Sequence, residues 1–399
     1  MHAVNRAGSY QLQPGGYRAF LPAALPPQPP IVLDDELSHL LSAADRAVGR
    51  LDGIASVLPN PDLFVAMYVR QEAVLSSQIE GTQSTLEDVL QFELDPRGHD
   101  LPRDVSEVVN YIRAMNHGLA RLPTLPLSLR LIREIHAILL EDVRGGQRNP
   151  GAFRREQNWI GPDGCTLHTA TFVPPPAAAL DTVLADLERF VHDTRSYPPL
   201  IHCGLVHAQF ETIHPFLDGN GRVGRLLITL LLCERGILQL PLLYLSAFFK
   251  ANRLDYYDWL MRIREQGDWE GWLTFFLRGV QTMGQSATAT AQAIVALRET
   301  HRALLSERID SVNGFRLLDQ LFRQPLTSIR MVEQALSCSY GTAGKLVESF
   351  VQLGLLREIT GGLRNRRFRY EPYLALFETP LAAPRDAFAV QTLTETPDA

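Results

Sequence analysis

Twelve consecutive residues carry the densest chemistry in this 399-residue chain: His214-Pro215-Phe216-Leu217-Asp218-Gly219-Asn220-Gly221-Arg222-Val223-Gly224-Arg225. A residue that precedes proline is pushed out of the α region, so the helix bearing Leu205, Val206, Phe210 and Ile213 must end at His214. A second helix is expected to start near Arg222 and to run apolar through 226–233. Between the two, Gly219, Asn220 and Gly221 can take positive φ angles that turn successive N–H groups into one concavity, a nest for an anion at a helix N-terminus. Arg222 and Arg225 lie three apart at the positive end of that helix. Like charges there repel each other and the helix dipole. A local rule broken in this way calls for a partner, and a polyphosphate is the natural one. Asp218 is a hard oxygen ligand suited to Mg²⁺ held against phosphates. His214 supplies a titratable base beside them. Nest, metal ligand, two arginines and a base together describe phosphoryl or nucleotidyl transfer.

Several elements must hold this loop in place. Asn60-Pro61-Asp62 reads as a helix start, with a capping side chain, proline at the first helical position and an acid in the first turn. That helix is expected to run through Leu63, Ala66, Val69, Ala73 and Ile79 and to stop at Gly81. Glu80 then sits at the negative pole of the helix and wants a cation; Arg225 has positive charge to offer. A capping box of Ser84 and Glu87 opens the next helix. Further amphipathic helices are expected near 105–120, 127–142 and 177–194. Between them, Trp159 to Thr171 breaks the helical pattern. Gly161-Pro162-Asp163-Gly164 is turn chemistry, flanked by Asn158-Trp159-Ile160 and Thr169-Ala170-Thr171-Phe172-Val173, so the segment reads as a short hairpin flap closed by Pro174-Pro175-Pro176. His207, Glu211 and His214 share one helical stripe and raise the alternative of a metallohydrolase. The spacing His-Glu-x-x-His of zinc proteases is absent, which leaves His207 as a structural hydrogen-bonder.

The glycine-rich segment matches His-Pro-Phe-x-Asp-Gly-Asn-Gly-Arg-x-x-Arg at all nine specified positions. It resembles the signature of the Fic family of AMP transferases. Ser76-Ser77-Gln78-Ile79-Glu80-Gly81 is similar to the family's inhibitory motif, Ser/Thr-x-x-x-Glu-Gly/Asn, and the 157–176 stretch to its target-docking flap. The resemblance covers roughly residues 20–280. It implies a mainly α protein, a Fic helical core with a short β-hairpin flap. It also implies that His214 deprotonates a protein hydroxyl, that Asp218 holds Mg²⁺ or Mn²⁺ on the α- and β-phosphates of ATP, and that Gly219, Asn220, Gly221 and Arg222 cradle phosphates. Arg225 would reach the γ-phosphate and Phe216 would anchor the loop inward. Ser76, Glu80 and Gly81 would form the inhibitory element, with Glu80 pairing Arg225. In the flap, Trp159, Ile160, Gly161, Thr169, Ala170 and Thr171 would hold target backbone by strand addition. Tyr256 and Tyr257 stand where related proteins carry aromatics near the adenine. The same loop could run in reverse and remove AMP, with Glu80 positioning water.

The segment 310–376 reads as three helices, the third over 340–350, followed by strands at 355–359 and 366–370 around Gly361-Gly362. It resembles a winged helix-turn-helix with a small β-wing. Arg357, Arg364, Arg366, Arg367 and Arg369 outnumber Glu358 and Glu371 in the wing, so DNA is one expected partner, with 340–349 as recognition helix. Protein contacts or packing are the other reading. On the DNA reading the protein is a DNA-binding regulator whose core senses nucleotide, against the enzyme reading.

Length alone predicts two or three domains. The expected division is an N-terminal arm and helical region over 1–105, a catalytic core over 106–282, a connecting helix over 283–309, the winged helix over 310–376 and a disordered tail over 377–399. Residues 1–31 read as an extended, proline-rich arm. A net charge of −6 argues against general nucleic-acid coating. All but two of the 38 basic residues are arginine, the exceptions being Lys250 and Lys345, so arginine at any one position carries little weight by itself. Cys165, Cys203, Cys233 and Cys338 show no paired spacing, as expected in a reducing cytoplasm. The N-terminus has no apolar core of signal-peptide length, and the longest apolar run, 226–233, is far short of a membrane span. The expected partners are target proteins modified on a serine, threonine or tyrosine hydroxyl, the chain itself among them, and a second copy in a homodimer; no membrane partner is expected.

Overall fold

The computed structural model describes residues 5–57, 62–95, 102, 104–309, 311–362 and 365–378. The chain opens with β1 (Gly8–Leu12) and β2 (Arg18–Pro22), then runs through α1 (Asp35–Val57), α2 (Asp62–Ile79), α3 (Leu86–Leu94), α4 (Val105–Arg121) and α5 (Leu129–Leu139). A 3-10 turn (Ala177–Ala179) leads into α6 (Leu180–Val191), followed by α7 (Pro199–Ile213), α8 (Asn220–Glu234), α9 (Ser246–Ala251), α10 (Arg253–Gln266) and α11 (Trp269–Arg308). The last unit is α12 (Val312–Arg323), β3 (Leu326–Ser328), α13 (Ile329–Leu336), α14 (Tyr340–Gln352), β4 (Arg357–Glu358), β5 (Arg367–Arg369) and α15 (Glu371–Glu378). Among the described residues no helix is long and apolar enough to cross a membrane.

At the centre stand α7 and α8, joined by the glycine-rich loop. Pro199 opens α7, where a missing N–H costs nothing, and every residue from Leu200 to Ile213 is buried. A helix apolar on all sides belongs in the middle of a core. α11 closes one side: Trp272 Nε1 donates to the Gly204 carbonyl at 2.9 Å, and the bare Cα of Gly204 lets Leu273 and Phe276 come close. At 40 residues, α11 spans about 60 Å. It starts inside the core, lies along α1 and continues unbroken into the segment expected as a connecting helix.

The structure differs from the sequence expectations at several points. Residues 8–22 form an antiparallel hairpin rather than an extended arm, with Phe20 fully buried and its N–H bonded to Val173 O at 2.9 Å. The signal was Pro14-Gly15-Gly16 between two short strands, obscured by the prolines that follow. The capping box of α3 is Thr85 with Asp88, one residue later than expected, because Ser84 is buried and donates to Asp104 instead. The expected cap at Asn60 and Pro61 lies outside the described residues. Phe377 is part of α15 and packs edge-on against Tyr68 and Tyr373, so the tail begins after Glu378; residues 379–399 lie outside the described residues.

Chain order in the last unit is helix, strand, helix, helix, strand, strand, helix. Its sheet is antiparallel in the order β3-β5-β4, with Thr327 opposite Phe368 and Phe368 opposite Glu358. This unit packs on α2 and α3. Arg70 of α2 bridges Glu93 of α3 and the carbonyl of Arg323, and Arg367 and Arg369 of β5 pair with Asp95 and Glu87.

Candidate active site

His214 caps α7 in the left-handed region (φ 49°), where a non-glycine residue is held only by its surroundings. Those surroundings are specific. Its carbonyl accepts from Arg154 Nε at 3.0 Å and from Asn158 Nδ2 at 3.1 Å, and Arg154 also reaches the Ile213 and Pro175 carbonyls. Burial, with the neighbouring Arg264 and Arg154 charges, pushes the His214 imidazole down to about 3, so the ring is neutral at physiological pH. Its Nδ1 has no hydrogen-bond partner among the described residues and lies 4.0 Å from Glu211 Oε2. Burial raises Glu211 to about 7.

Asn220 and His136 shape the loop. The Asn220 side chain both donates to the Phe216 carbonyl and accepts from the Phe216 N–H, each at 2.8 Å. That use takes the side chain out of ligand binding and leaves its backbone N–H for the nest. Phe216 is buried, with its ring stacked on His136 at 3.6 Å and 4°. His136 Nδ1 accepts from Gly151 N, so its Nε2–H donates to the Asp218 carbonyl at 3.0 Å. Burial holds this histidine at about 4, neutral as the tautomer requires. α8 starts at Asn220, two residues earlier than expected. Only Gly219 has a positive φ (76°); Gly221 is helical. Glycine at 221 serves clearance instead: a Cβ there would run into Glu80 Oε1 and lie 3.0 Å from Arg225 Nη1.

Both arginines on α8 are buried and both already have partners within the chain. Arg225 Nη2 donates to Glu80 Oε1 at 2.7 Å and to the Ser76 carbonyl at 2.9 Å, while its Nε donates to Ser76 Oγ at 2.8 Å. Burial opposes the Arg225 charge, and Glu80 outweighs it, so the guanidinium is held above its usual range. Burial would likewise raise Glu80, and the Arg225 charge and hydrogen bond overcome it, leaving Glu80 below its usual range. Gly81 (φ 96°) turns the chain just past this contact. Arg222 Nη1 donates to Glu107 Oε2 at 2.9 Å. The charge for which sequence reasoning required a polyphosphate is thus met by two carboxylates, Glu80 just past α2 and Glu107 of α4.

Asp218 accepts its neighbour Gly219 N–H at 2.6 Å and lies 3.7 Å from Arg222, with about a third of its side chain (34%) exposed. Among the described residues no group of three or more His, Cys, Asp or Glu could hold a metal ion alone. A cation on Asp218 would therefore draw its other ligands from a bound phosphate and water, the habit of Mg²⁺. A one-carboxylate site of this kind fits.

The flap, 157–176, is a loop whose arms are tied by one antiparallel bridge, Ile160 with Phe172, rather than a ladder. Trp159 is 42% exposed, its indole N–H bonded to the Cys165 carbonyl; Gly161, Thr169 and Thr171 are exposed, and Ile160 and Ala170 half-buried. Asn158 fastens the flap's base to the His214 and Phe216 carbonyls. Of the two tyrosines expected near adenine, Tyr256 is core: it is buried against Phe249 and Trp272, and its hydroxyl bonds His207 Nε2 at 2.9 Å. Tyr257 is 38% exposed and close enough to Glu80 that the carboxylate, after burial, raises its hydroxyl. His207 uses its other nitrogen on the Gly224 carbonyl, so both ring nitrogens are spent inside the core. Sequence reasoning missed Arg154, Asn158, His136 and Glu107. A lone polar residue in an amphipathic segment gives no local sign that it will be buried against a loop far away in sequence.

Two family models match the chain, the Fic/DOC family N-terminal region over residues 38–120 and the Fic/DOC family over 126–232. A "Probable protein adenylyltransferase" of Aquifex aeolicus is 23% identical over 192 residues, 48% of this chain and 56% of that protein. A "Protein adenylyltransferase Fic" of Drosophila grimshawi is 29% identical over 199 residues, 48% of this chain and 37% of that protein. The chain thus spans a little over half of the first relative's length and well under half of the second's. Among solved structures, a Fic family protein from Desulfovibrio desulfuricans G20 superposes with a TM-score of 0.56 at 22% identity, covering 86% of this chain and 98% of that one, a likeness of fold. With its glycine-rich loop between two central helices and both family models matched in order, the chain belongs to the Fic/DOC family.

Proposed function

We propose that the chain transfers AMP from ATP to a hydroxyl of a protein, itself included, and that Glu80 holds this activity down. One observation carries the reading: a neutral base, an anion nest and a metal-competent carboxylate share one loop, and the arginine that ends it is gripped by Glu80 at 2.7 Å. The relatives named as protein adenylyltransferases support it.

In this reaction the target oxygen attacks the α-phosphorus. A new P–O bond forms, the bond to the β-phosphate bridging oxygen breaks, and pyrophosphate leaves with the electron pair. His214, neutral, takes the hydroxyl proton on its imidazole. Glu211 lies close enough to favour the imidazolium that results. Asn220 and Gly221 offer N–H groups at the start of α8 to the phosphates, and Gly219, whose own N–H is held by Asp218, supplies the turn that aims them. Asp218 would hold a divalent cation against the phosphates, which would supply charge neutralisation for the leaving group. While Arg225 is held by Glu80 and Ser76, it is withheld from the γ-phosphate. Target backbone would lie along the flap, beside the Ile160–Phe172 bridge.

The wing's arginines favour packing over DNA. Arg357, Arg366, Arg367 and Arg369 all sit in ion pairs with Glu371, Glu358, Asp95 and Glu87, and Arg364 lies outside the described residues. We read the last unit as a winged helix that braces α2 and α3.

Incubation with ATP labelled at the α-phosphate, Mg²⁺ and a host lysate, followed by mass spectrometry, tests the enzyme reading. Label on serine, threonine or tyrosine is expected, and strongest with Glu80→Gly. No label from either protein, at any Mg²⁺ or Mn²⁺ concentration, sinks it.

A further inference from the structure

Arg222 has two carboxylates within reach, and they are unequal. Glu107 Oε2 is 2.9 Å from Nη1, and Asp218 Oδ1 is 3.7 Å from Nη2. Asp218 lies four residues before Arg222, just outside the start of α8, at a distance where opposite charges attract. It cannot retreat, because His136 holds its carbonyl and the Asn220–Phe216 bonds fix the backbone on either side. Glu107 comes from the first turn of α4, 115 residues away in sequence. Its side chain is 6% exposed, and its second oxygen faces Arg144 at 3.6 Å. Arg222 itself is 3% exposed, and its Nε has no partner among the described residues. A buried guanidinium deprived of Glu107 would turn to the nearest remaining anion, and that is Asp218.

We propose that Glu107 is a positioning residue that keeps Arg222 off Asp218, so that the Asp218 carboxylate stays open to a divalent cation. The proposal rests on the reading that Asp218 receives that cation together with the phosphates of ATP. Its distinctive content is that Glu107 acts on metal binding only through Arg222. Loss of an outer partner that orients a metal ligand costs about 10–100-fold in metal affinity, and the lower end is expected here because Asp218 is partly solvated.

The test is calorimetric titration of ATP into the Glu80→Gly protein, once in excess EDTA and once in saturating Mg²⁺. The ratio of the two dissociation constants is the gain due to Mg²⁺. Adding Glu107→Gln should cut that gain about tenfold, with affinity in EDTA unchanged or tighter, since a positive charge is released. Adding Arg222→Gln to that variant should restore the gain, while ATP binds more weakly in both conditions. A purely structural role would lower both affinities together and would not be rescued. If Glu107→Gln alone does not fold, the double variant is compared with Arg222→Gln, and the proposal requires equal gains. An unchanged gain in Glu107→Gln, or no rescue, overturns it while Asp218 keeps its assignment. A Glu80→Gly protein with no gain at all, or one whose gain survives Asp218→Asn, overturns the Asp218 reading, and this proposal with it.

Discussion

Arg222 and Arg225 stand one turn apart on α8, both buried and both paired with glutamate, yet the two pairs are built differently. Glu107 is inside the first turn of a helix, 6% exposed, where an anion also suits the helix dipole. Glu80 lies just past the last residue of α2, where the dipole disfavours it, next to a glycine with φ of 96° and with 34% of its side chain in solvent. On the proposed function, one pair is an anchor and the other a latch. A contact meant to open is placed where one partner can swing into water without unpacking the core. A contact meant to stay is sealed on both sides.

The largest effects bound this comparison. His214→Ala should lower AMP transfer by about 10²–10⁴-fold in the Glu80→Gly background. ATP affinity should stay near that of the parent, since the phosphate donors lie elsewhere in the loop. Equal losses of binding and transfer would mean that the loop, rather than the base, had been damaged. Next in size is the anchor. Glu107→Ala strands a buried guanidinium and should destabilise by about 3–5 kcal/mol in urea unfolding. Glu80→Ala removes the partly solvated partner and leaves the Arg225 guanidinium held by both Ser76 oxygens, so it should cost clearly less than Glu107→Ala. Equal costs would abolish the distinction between anchor and latch.

The latch should show itself in rate instead of stability. Opposite charges at about 4 Å in an effective dielectric near 20 attract by roughly 4 kcal/mol before desolvation is subtracted. A third of that is about tenfold in an equilibrium. Glu80→Gly should therefore raise transfer by about tenfold or more, with self-modification as the readout. Arg225→Ala in the same background should cancel the gain. A Glu80→Gly protein no faster than wild type would leave Glu80 a solvated helix end.

How much of this could be read from the sequence follows the same division. The loop was legible because its parts are contiguous: His214 before proline, Gly219 at the turn, and Phe216 anchoring inward. Glu80 was legible because its misplacement is local, an anion at the wrong end of a helix. Glu107 was not, since an acid in the first turn of a helix breaks no rule, and its partner lies 115 residues on. Tyr256 was illegible for a related reason. The resemblance put it with Tyr257 near the adenine, and only the folded core shows that it is buried, with its hydroxyl on His207. The N-terminal hairpin and the shift of the capping box from Ser84 to Thr85 depend on Val173 and Asp104, distant partners that no window of residues displays.

The smallest predicted effect concerns what holds the latch in register. Two turns before Glu80 on α2, Glu72 is buried and tied to the core. Ser246 of α9 donates through both its N–H and its hydroxyl, and Tyr111 of α4 donates at 3.3 Å. Burial raises Glu72 from 4.5 to about 7, against the opposing pull of Ser246, the Arg225 charge and Tyr111. A carboxyl with a raised pKa takes up a proton on folding. Its contribution to stability is therefore complete below about pH 4.5 and is lost as pH rises through about 7. Glu72→Gln keeps the shape and removes the titration. The variant should gain on wild type between about pH 5 and about pH 8, by about 1 kcal/mol if the shift is partly relaxed by the neighbouring donors. Thermal melts of both proteins at the two pH values measure it. If the gain appears, α2 is held by a contact that weakens with rising pH, and the latch it carries is weaker in base while the anchor at Glu107 is untouched. A difference between the proteins that does not change with pH would mean that Glu72 is already ionised when folded, and that Arg225 has two carboxylate partners instead of one.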